Sequence, residues 1–238
     1  MTVSKIVGGL VAMASVVGVG YGQSFGAGVK IGVLTSEPFT ATSVSITSST
    51  FVTATDYLPS NRRLTVGPMV ELRLSRGIAV EASALLRRVT YVKQRHVYEI
   101  EPDPFLPFDE TLEISTRARS LELPILLKYR ISWKRWQPFI GFGGAVRHVF
   151  GIERLLGNGL DLLPLPDFVD SAGGSPPELE HPTTGGFGIA GGLEWRTSVL
   201  RIAPEIRYCR WASPSFRDPD GALVSRANQV ELLLSLGF

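Results

Sequence analysis

From residue 25 to the end of the chain, apolar and polar side chains alternate with a period of two in one segment after another. That spacing belongs to β-strands with one apolar and one polar face, and it excludes a helical fold for these stretches. In 227–238, Val230, Leu232, Leu234, Leu236 and Phe238 share a face, with Gln229, Glu231 and Ser235 opposite. In 119–131, Leu121, Leu123, Ile125, Leu127 and Tyr129 oppose Glu122, Lys128 and Arg130. The segment 199–211 sets Ile202, Ile206 and Tyr208 against Arg201, Glu205 and Arg207. In 78–89, Ile78, Val80, Ala82, Ala84 and Leu86 oppose Glu81, Ser83 and Arg87.

Eight such segments are read: 25–34, 64–74, 78–89, 119–131, 138–150, 185–196, 199–211 and 227–238. Their connections alternate in length. Those at 75–77, 132–137 and 197–198 are tight, whereas 35–63, 90–118, 151–184 and 212–226 are long and rich in Pro, Gly, Asp and Ser. An even strand number with short turns at one end and long loops at the other is the layout of bacterial outer-membrane barrels. The fold class expected is therefore all-β: an eight-stranded antiparallel transmembrane β-barrel with short periplasmic turns and four long extracellular loops.

A soluble antiparallel sandwich would alternate too, so the charges have to separate the two. Glu71, Arg73, Glu81, Arg87, Glu122, Lys128, Arg147, Glu194, Arg196, Glu205 and Arg207 project to one side, interspersed with Gly and Ala. With Lys30 the set holds seven cations and five anions. An eight-stranded barrel has an interior only wide enough for side chains to fill it. Buried there unpaired, each charge would cost several kcal/mol, so a mutually compensating network in the lumen is the reading that this near balance supports. Aromatics mark both ends of the apolar band, as at membrane interfaces: Phe25, Trp133, Trp136 and Trp195 near the short turns, and Phe150, Phe187, Tyr208 and Trp211 near the long loops.

The first 22 residues read as a secretory signal: Lys5, an uncharged run over 6–19, and Gly20-Tyr21-Gly22 as a small-x-small cleavage site. The apolar run is short of the ~20 residues that a helical span needs. Residues 23–238 are then a single barrel domain, directed to the bacterial outer membrane. Lys and Arg total 24 against 22 Asp and Glu, a formal charge of +2, which argues against a nucleic-acid partner, since such a protein carries a clustered basic face. Cys209 is the one cysteine, so no intramolecular disulfide forms and a small buried residue is expected there.

At 121–129 the strand Leu121-Glu122-Leu123-Pro124-Ile125-Leu126-Leu127-Lys128-Tyr129 is followed by Pro138-Phe139-Ile140-Gly141 with Gly143-Gly144, then Pro204-Glu205-Ile206-Arg207-Tyr208 and the terminal strand 230–238. These motifs resemble the PorT-like outer-membrane β-barrel domain family and, more distantly, the OmpA-type small eight-stranded barrel. The resemblance covers the mature chain and implies fold and location, not activity. The last strand, Val230, Leu232, Leu234, Leu236 and Phe238, resembles the signal read by the barrel-assembly machinery. The long connection 151–184 departs from a minimal member.

No Walker loop, Rossmann fingerprint, Cys-x-x-Cys or His-Glu-x-x-His occurs, and no cofactor, metal or catalytic residue is assigned. The Gly-rich stretch 141–144 lies inside a strand, where close packing explains it better than phosphate binding. His96 and His181 fall in loops without ligand-like spacing. His148, in step with Phe142 and Val146, is placed on the outer face near the rim, where a lipid A-modifying enzyme would keep a catalytic His beside a Ser. The acidic run Glu99, Glu101, Asp103, Asp109, Glu110 and Glu113 reads as a solvated loop face. Arg87, Arg88, Arg95 and Arg154 lie near the rim, where bidentate contacts to lipopolysaccharide phosphates are open to them.

Three functional readings follow. The first is a monomeric structural or interaction protein with a charge-paired closed lumen and surface loops that bind an extracellular partner. The second is a narrow pore or transport accessory for small solutes, and the third a rim enzyme acting on lipid A. Outer-membrane lipids including lipopolysaccharide, and the barrel-assembly machinery during biogenesis, are the partners expected of all three.

Overall fold

The computed structural model describes residues 24–59, 64–74, 77–100, 109–131, 136–157, 162–164, 176–197 and 200–238. Residues 1–22, expected as a secretory signal, Glu101 and Asp103 of the acidic run, Trp133 and parts of the short turns lie outside the described residues. Every regular element described is a strand: β1 (Ser24–Leu34), β2 (Phe39–Ala41), β3 (Val44–Thr47), β4 (Phe51–Pro59), β5 (Leu64–Arg73), β6 (Ile78–Ser83) and β7 (Leu85–Glu99). They are followed by β8 (Asp109–Arg130), β9 (Trp136–Gly157), β10 (Leu162–Pro164), β11 (Thr183–Arg196), β12 (Arg201–Trp211), β13 (Leu223–Ser225) and β14 (Asn228–Gly237).

Nine of these, with β6 and β7 sharing one position, close into an eight-stranded barrel. The order runs β9-β11-β12-β14-β1-β5-β6/β7-β8, and β8 returns to β9, every pairing antiparallel. Closure leaves no barrel strand with an unpaired edge, which is what a sheet in hydrocarbon requires. On β14 the outward residues Val230, Leu232 and Leu234 are between 36% and 45% exposed, while Glu231 and Leu233 between them are buried. Apolar residues pointing away from the packed interior are the pattern of a wall bathed in lipid.

The segment expected as one strand over 78–89 is one staircase of two pieces, β6 and β7, interrupted at Ala84. Its neighbour across the sheet is Pro68 of β5. Ala84 N donates to the Pro68 carbonyl at 3.0 Å, but Pro68 has no N–H to return the bond, so the ladder lapses for one step. The register is the same on both sides, Met69↔Ser83 and Thr65↔Arg87. At the short-turn end Gly77 adopts φ 84°, a left-handed conformation that suits glycine, and its carbonyl accepts the Arg130 amide at 2.8 Å. Farther along β9, a Cβ at Gly143 would run into the Ile125 carbonyl oxygen, so that glycine serves strand-to-strand approach inside a narrow barrel.

The larger departure is at the other end. Regions 35–63, 90–118, 151–184 and 212–226, expected as loops, contain a good deal of strand. β8 and β9 are each 22 residues long, about twice what a tilted strand needs to cross a bilayer. β7 continues to Glu99 against the first half of β8, and β4 adds itself to the far side of β7 from Phe51↔Glu99 to Pro59↔Tyr91. Residues 90–99 are rich in β-branched and aromatic types that suit a strand. Beyond the membrane both faces of such a strand meet water, so the period-two contrast that marks a spanning strand fades.

Candidate functional site: a charge-filled interior beneath a packed cap

Of the twelve residues expected in the lumen, eleven turn into the barrel and form three tiers with neighbours from other strands. In the middle tier Lys30 Nζ lies 2.5 Å from Glu81 Oε1 and 3.1 Å from both Glu205 oxygens. Lys128 Nζ lies 2.7 Å from Glu81 Oε2 and 2.8 Å from Glu205 Oε2, and sits 4.3 Å from the centroid of the Phe139 ring. Two ammoniums and two carboxylates from β1, β6, β8 and β12 thus alternate around the interior, each carboxylate shared by both lysines.

The upper tier, toward the long loops, sets three guanidiniums around two carboxylates. Arg147 donates to Glu122 Oε1 at 3.1 and 2.9 Å, and Arg87 Nη1 stands 3.3 Å from the same oxygen. Arg207 Nε donates to Glu231 Oε2 at 2.9 Å, and Arg87 Nη2 reaches Glu231 Oε1. In the lower tier Arg73 bridges Glu71 (2.8 Å) and Glu194 (2.7 Å), and Arg130 does the same with Nε 2.9 Å from Glu194. Arg201 Nη1 donates to Glu71 at 3.0 Å.

Arg196 is the exception. Its side chain is exposed at the short-turn rim and makes no ion pair among the described residues. It lies at the end of β11, directly opposite Arg201, where the barrel no longer encloses it. Conversely Arg130, Arg201 and Glu231 belong to the tiers although the candidate set omits them. They keep step with Lys128, Glu205 and Gln229 along their strands, so strict parity carried to the strand ends would have found them. Parity also corrects Trp211, expected in the outer aromatic belt: two steps from Cys209 and four from Arg207, it is 2% exposed and points inward. There its Nε1 donates to Gln229 at 3.2 Å and its ring lies 3.9 Å from the Arg147 guanidinium carbon. Cys209 is free and buried beside it.

Above the upper tier the long connections do not lie open. Phe39 of β2, Tyr57 of β4, Tyr91 of β7, Phe216 and Leu223 pack together with Ala118 and Val149 of the barrel wall. Phe39, Tyr91 and Phe216 meet edge to face, with centroids 5.7 to 5.8 Å apart, the arrangement that aromatic quadrupoles favour. The β2–β13 pairing, Phe39↔Ser225 to Ala41↔Leu223, ties the first long connection to the last. Beside this core Tyr57 OH donates to Asp218 at 2.6 Å and stands 3.4 Å from Glu178. Lys93 Nζ is 3.3 Å from Glu178 and 3.5 Å from Asp218. Burial, and then the hydrogen bond to Asp218, push the Tyr57 phenol well above its usual value; burial, and then the charge of Glu178, raise Tyr91 in the same direction. No periodicity announces Phe39, Glu178, Phe216 or Asp218, because they hang from short pieces of strand and turn rather than from one face of a long element.

Between cap and upper tier lies a cavity of about 30 Å³ lined by Phe39, Arg87, Arg147, Phe216 and Gln229, and one of about 10 Å³ adjoins the lower tier. His148 is on the outer face as expected; its Nδ1 lies 2.8 Å from Thr183 Oγ1 and its ring stacks on Phe150. Arg87, considered for lipid contact, faces the interior instead. At the short-turn end Trp136 and Trp195, both exposed, stack at 6.0 Å, and Phe25 is exposed on the same side. Among the described residues no group of three His, Cys, Asp or Glu side chains could hold a metal ion.

A closed antiparallel barrel, apolar outside and polar inside with aromatics at both ends, is the architecture of a bacterial outer-membrane protein. The chain belongs to the outer membrane protein beta-barrel domain family, whose model matches residues 21–212. No curated protein matches the sequence. Among solved structures it is similar to Neisserial surface protein A (NspA), at 9% identity and a TM-score of 0.30 over 91% of this chain and 96% of that one. It is also similar to Ail, the attachment invasion locus protein of Yersinia pestis in complex with the heparin analogue sucrose octasulfate, at 8% identity and a TM-score of 0.35 over 90% and 99%.

Proposed function

We propose that this protein is a monomeric, non-conducting and non-enzymatic outer-membrane barrel whose charged interior is a structural plug and whose capped outer end binds an extracellular partner. The observation that carries the reading is the aromatic cap over the upper tier, with an interior cavity of only about 30 Å³ between them, room for one or two waters. A pore would need a continuous wet path, whereas the three tiers place oppositely charged groups within hydrogen-bond reach across the bore. Against the rim-enzyme reading, His148 has a threonine and a phenylalanine for neighbours and, among the described residues, no carboxylate to orient it as general base. The finer PorT-like likeness, delivery by the barrel-assembly machinery through Val230, Leu232, Leu234, Leu236 and Phe238, and cleavage of a signal at residue 22 belong to the same reading.

The test is single-channel recording of the refolded protein in a planar bilayer. Electrical silence from protein shown by circular dichroism to be folded is the expected result. Steady, ion-dependent steps would instead make the tiers the lining of a path and bring the solute-permeation reading forward.

A further inference from the structure

Outside the barrel, just past its apolar band, three arginines converge. Leu86 of β7 is paired directly with Leu121 of β8, and both face outward. Two residues farther along the same faces, Arg88 is paired directly with Arg119; two more on, Thr90 is opposite Arg117. At roughly 3.3 Å per residue this puts Arg88 and Arg119 about 7 Å along the tilted strands, or about 5 Å in depth, beyond the last apolar pair, toward the headgroups. Arg117 and Arg119, with Ala118 buried between them, share the outer face by ordinary alternation, and the register shift opposite them falls on β9, where Gly151 adopts φ 58°. All three side chains are exposed, and none has an ion-pair partner among the described residues. They border a recess of about 220 Å³ completed by Gly151 and Glu153, and Phe150 stands opposite Arg119 across the sheet.

Like charges directly opposite each other on a sheet destabilise it. Two facing guanidiniums and a third beside them are a repulsive arrangement on their own and a complementary one around an anion with several acceptor oxygens. Guanidinium binds phosphate in a bidentate manner, which fixes the orientation of the group as well as adding energy. We propose that Arg88, Arg117 and Arg119 form a site for the phosphate of an outer-leaflet lipid headgroup, whose acyl chains lie along the wall below, against Leu86 and Leu121. Glu153, paired with Arg117 across the sheet, offsets part of this positive charge, which leaves Arg88 and Arg119 as the principal donors. The site rests on the outer-membrane location alone and is independent of what the cap binds.

The experiment measures the affinity of the refolded barrel in mixed micelles for bisphosphorylated lipid A, for its dephosphorylated counterpart and for inorganic phosphate. The wild type, the triple variant R88Q/R117Q/R119Q and R210Q are compared; Arg210 also faces outward, on β12, away from the recess. All the replaced side chains lie outside the packed interior, and circular dichroism verifies the fold. The expected result is a loss of about tenfold or more in lipid A affinity for the triple variant, less than about twofold for R210Q, and no difference between proteins for the dephosphorylated lipid. Equal affinity of wild type and triple variant, or an equal loss in R210Q, overturns the site. Binding of inorganic phosphate as tight as that of lipid A overturns the lipid as its occupant and assigns the recess to a free anion.

Discussion

The middle tier and the cap both bury two carboxylates, yet they hold them differently. Glu81 and Glu205 sit on β6 and β12, and each has both oxygens engaged by Lys30 and Lys128. Glu178 and Asp218 lie in the long connections. Each has one oxygen near Tyr57 and Lys93, while Glu178 Oε2 and Asp218 Oδ2 are buried without a hydrogen-bond partner among the described residues. Fully paired charge on continuous strands couples the whole circumference of the barrel; half-paired charge on turns couples only the pieces of the cap. The tier is therefore expected to govern global stability and the cap local opening.

The largest effect is expected from breaking the tier. Glu205→Gln removes one of the two carboxylates that both lysines share and leaves two buried ammoniums with Glu81 alone. The expected loss is about 3–5 kcal/mol of unfolding free energy, read from denaturant titration in micelles. A loss below about 1 kcal/mol would mean that water enters the tier and that it behaves as a surface pair does.

An intermediate effect is expected in the cap. Tyr57→Phe deletes the 2.6 Å hydrogen bond to Asp218 and leaves that carboxylate's engaged oxygen short of a donor, at a cost of about 1–3 kcal/mol. Hydrogen exchange should quicken in β2, β4 and β13 and stay unchanged in β12 and β14. The cap also has a pH signature. The folded cap holds the Tyr57 proton more tightly than the unfolded chain does, because burial and Asp218 raise its pKa. Above the ordinary tyrosine pKa of about 10 the unfolded form has released a proton that the folded form keeps, so cap stability falls as pH rises from there and is flat below. Exchange in the cap that does not change between neutral pH and pH 11 would contradict this.

How far each region was legible follows from the same contrast. Lipid outside and packed charge inside give a spanning strand two unlike faces, so alternation in 227–238 or 119–131 revealed all eight crossings and the inward parity of Glu122, Lys128, Glu205 and Arg207. Legibility failed where an environment changes within a strand. Arg196 keeps good company in sequence but emerges at the rim; the position of Trp211 near a strand end suggests a belt residue although its parity points inward. It failed altogether for Tyr57, Glu178 and Asp218, whose proximity arises from chain segments 121 and 161 residues apart from Tyr57 and leaves no local pattern.

The smallest effect, and the one that sharpens the contrast most, is expected at Lys93. Its side chain is 23% exposed, against 0% for Lys30, so solvent and salt reach it. Lys93→Met removes a cation that solvent already screens in part, while Tyr57 still donates to Asp218, and is expected to cost about 1 kcal/mol. Raising the ionic strength should mimic the substitution in the wild type, because exposed pairs are screened within a Debye length of about 10 Å at 0.1 M salt while buried ones are screened far less. Cap exchange rates measured from low to high salt should therefore rise in the wild type and stay level in Lys93→Met, while the unfolding free energy set by the tier stays constant in both. Equal salt sensitivity of cap and tier would remove the distinction between them and place both in contact with bulk water.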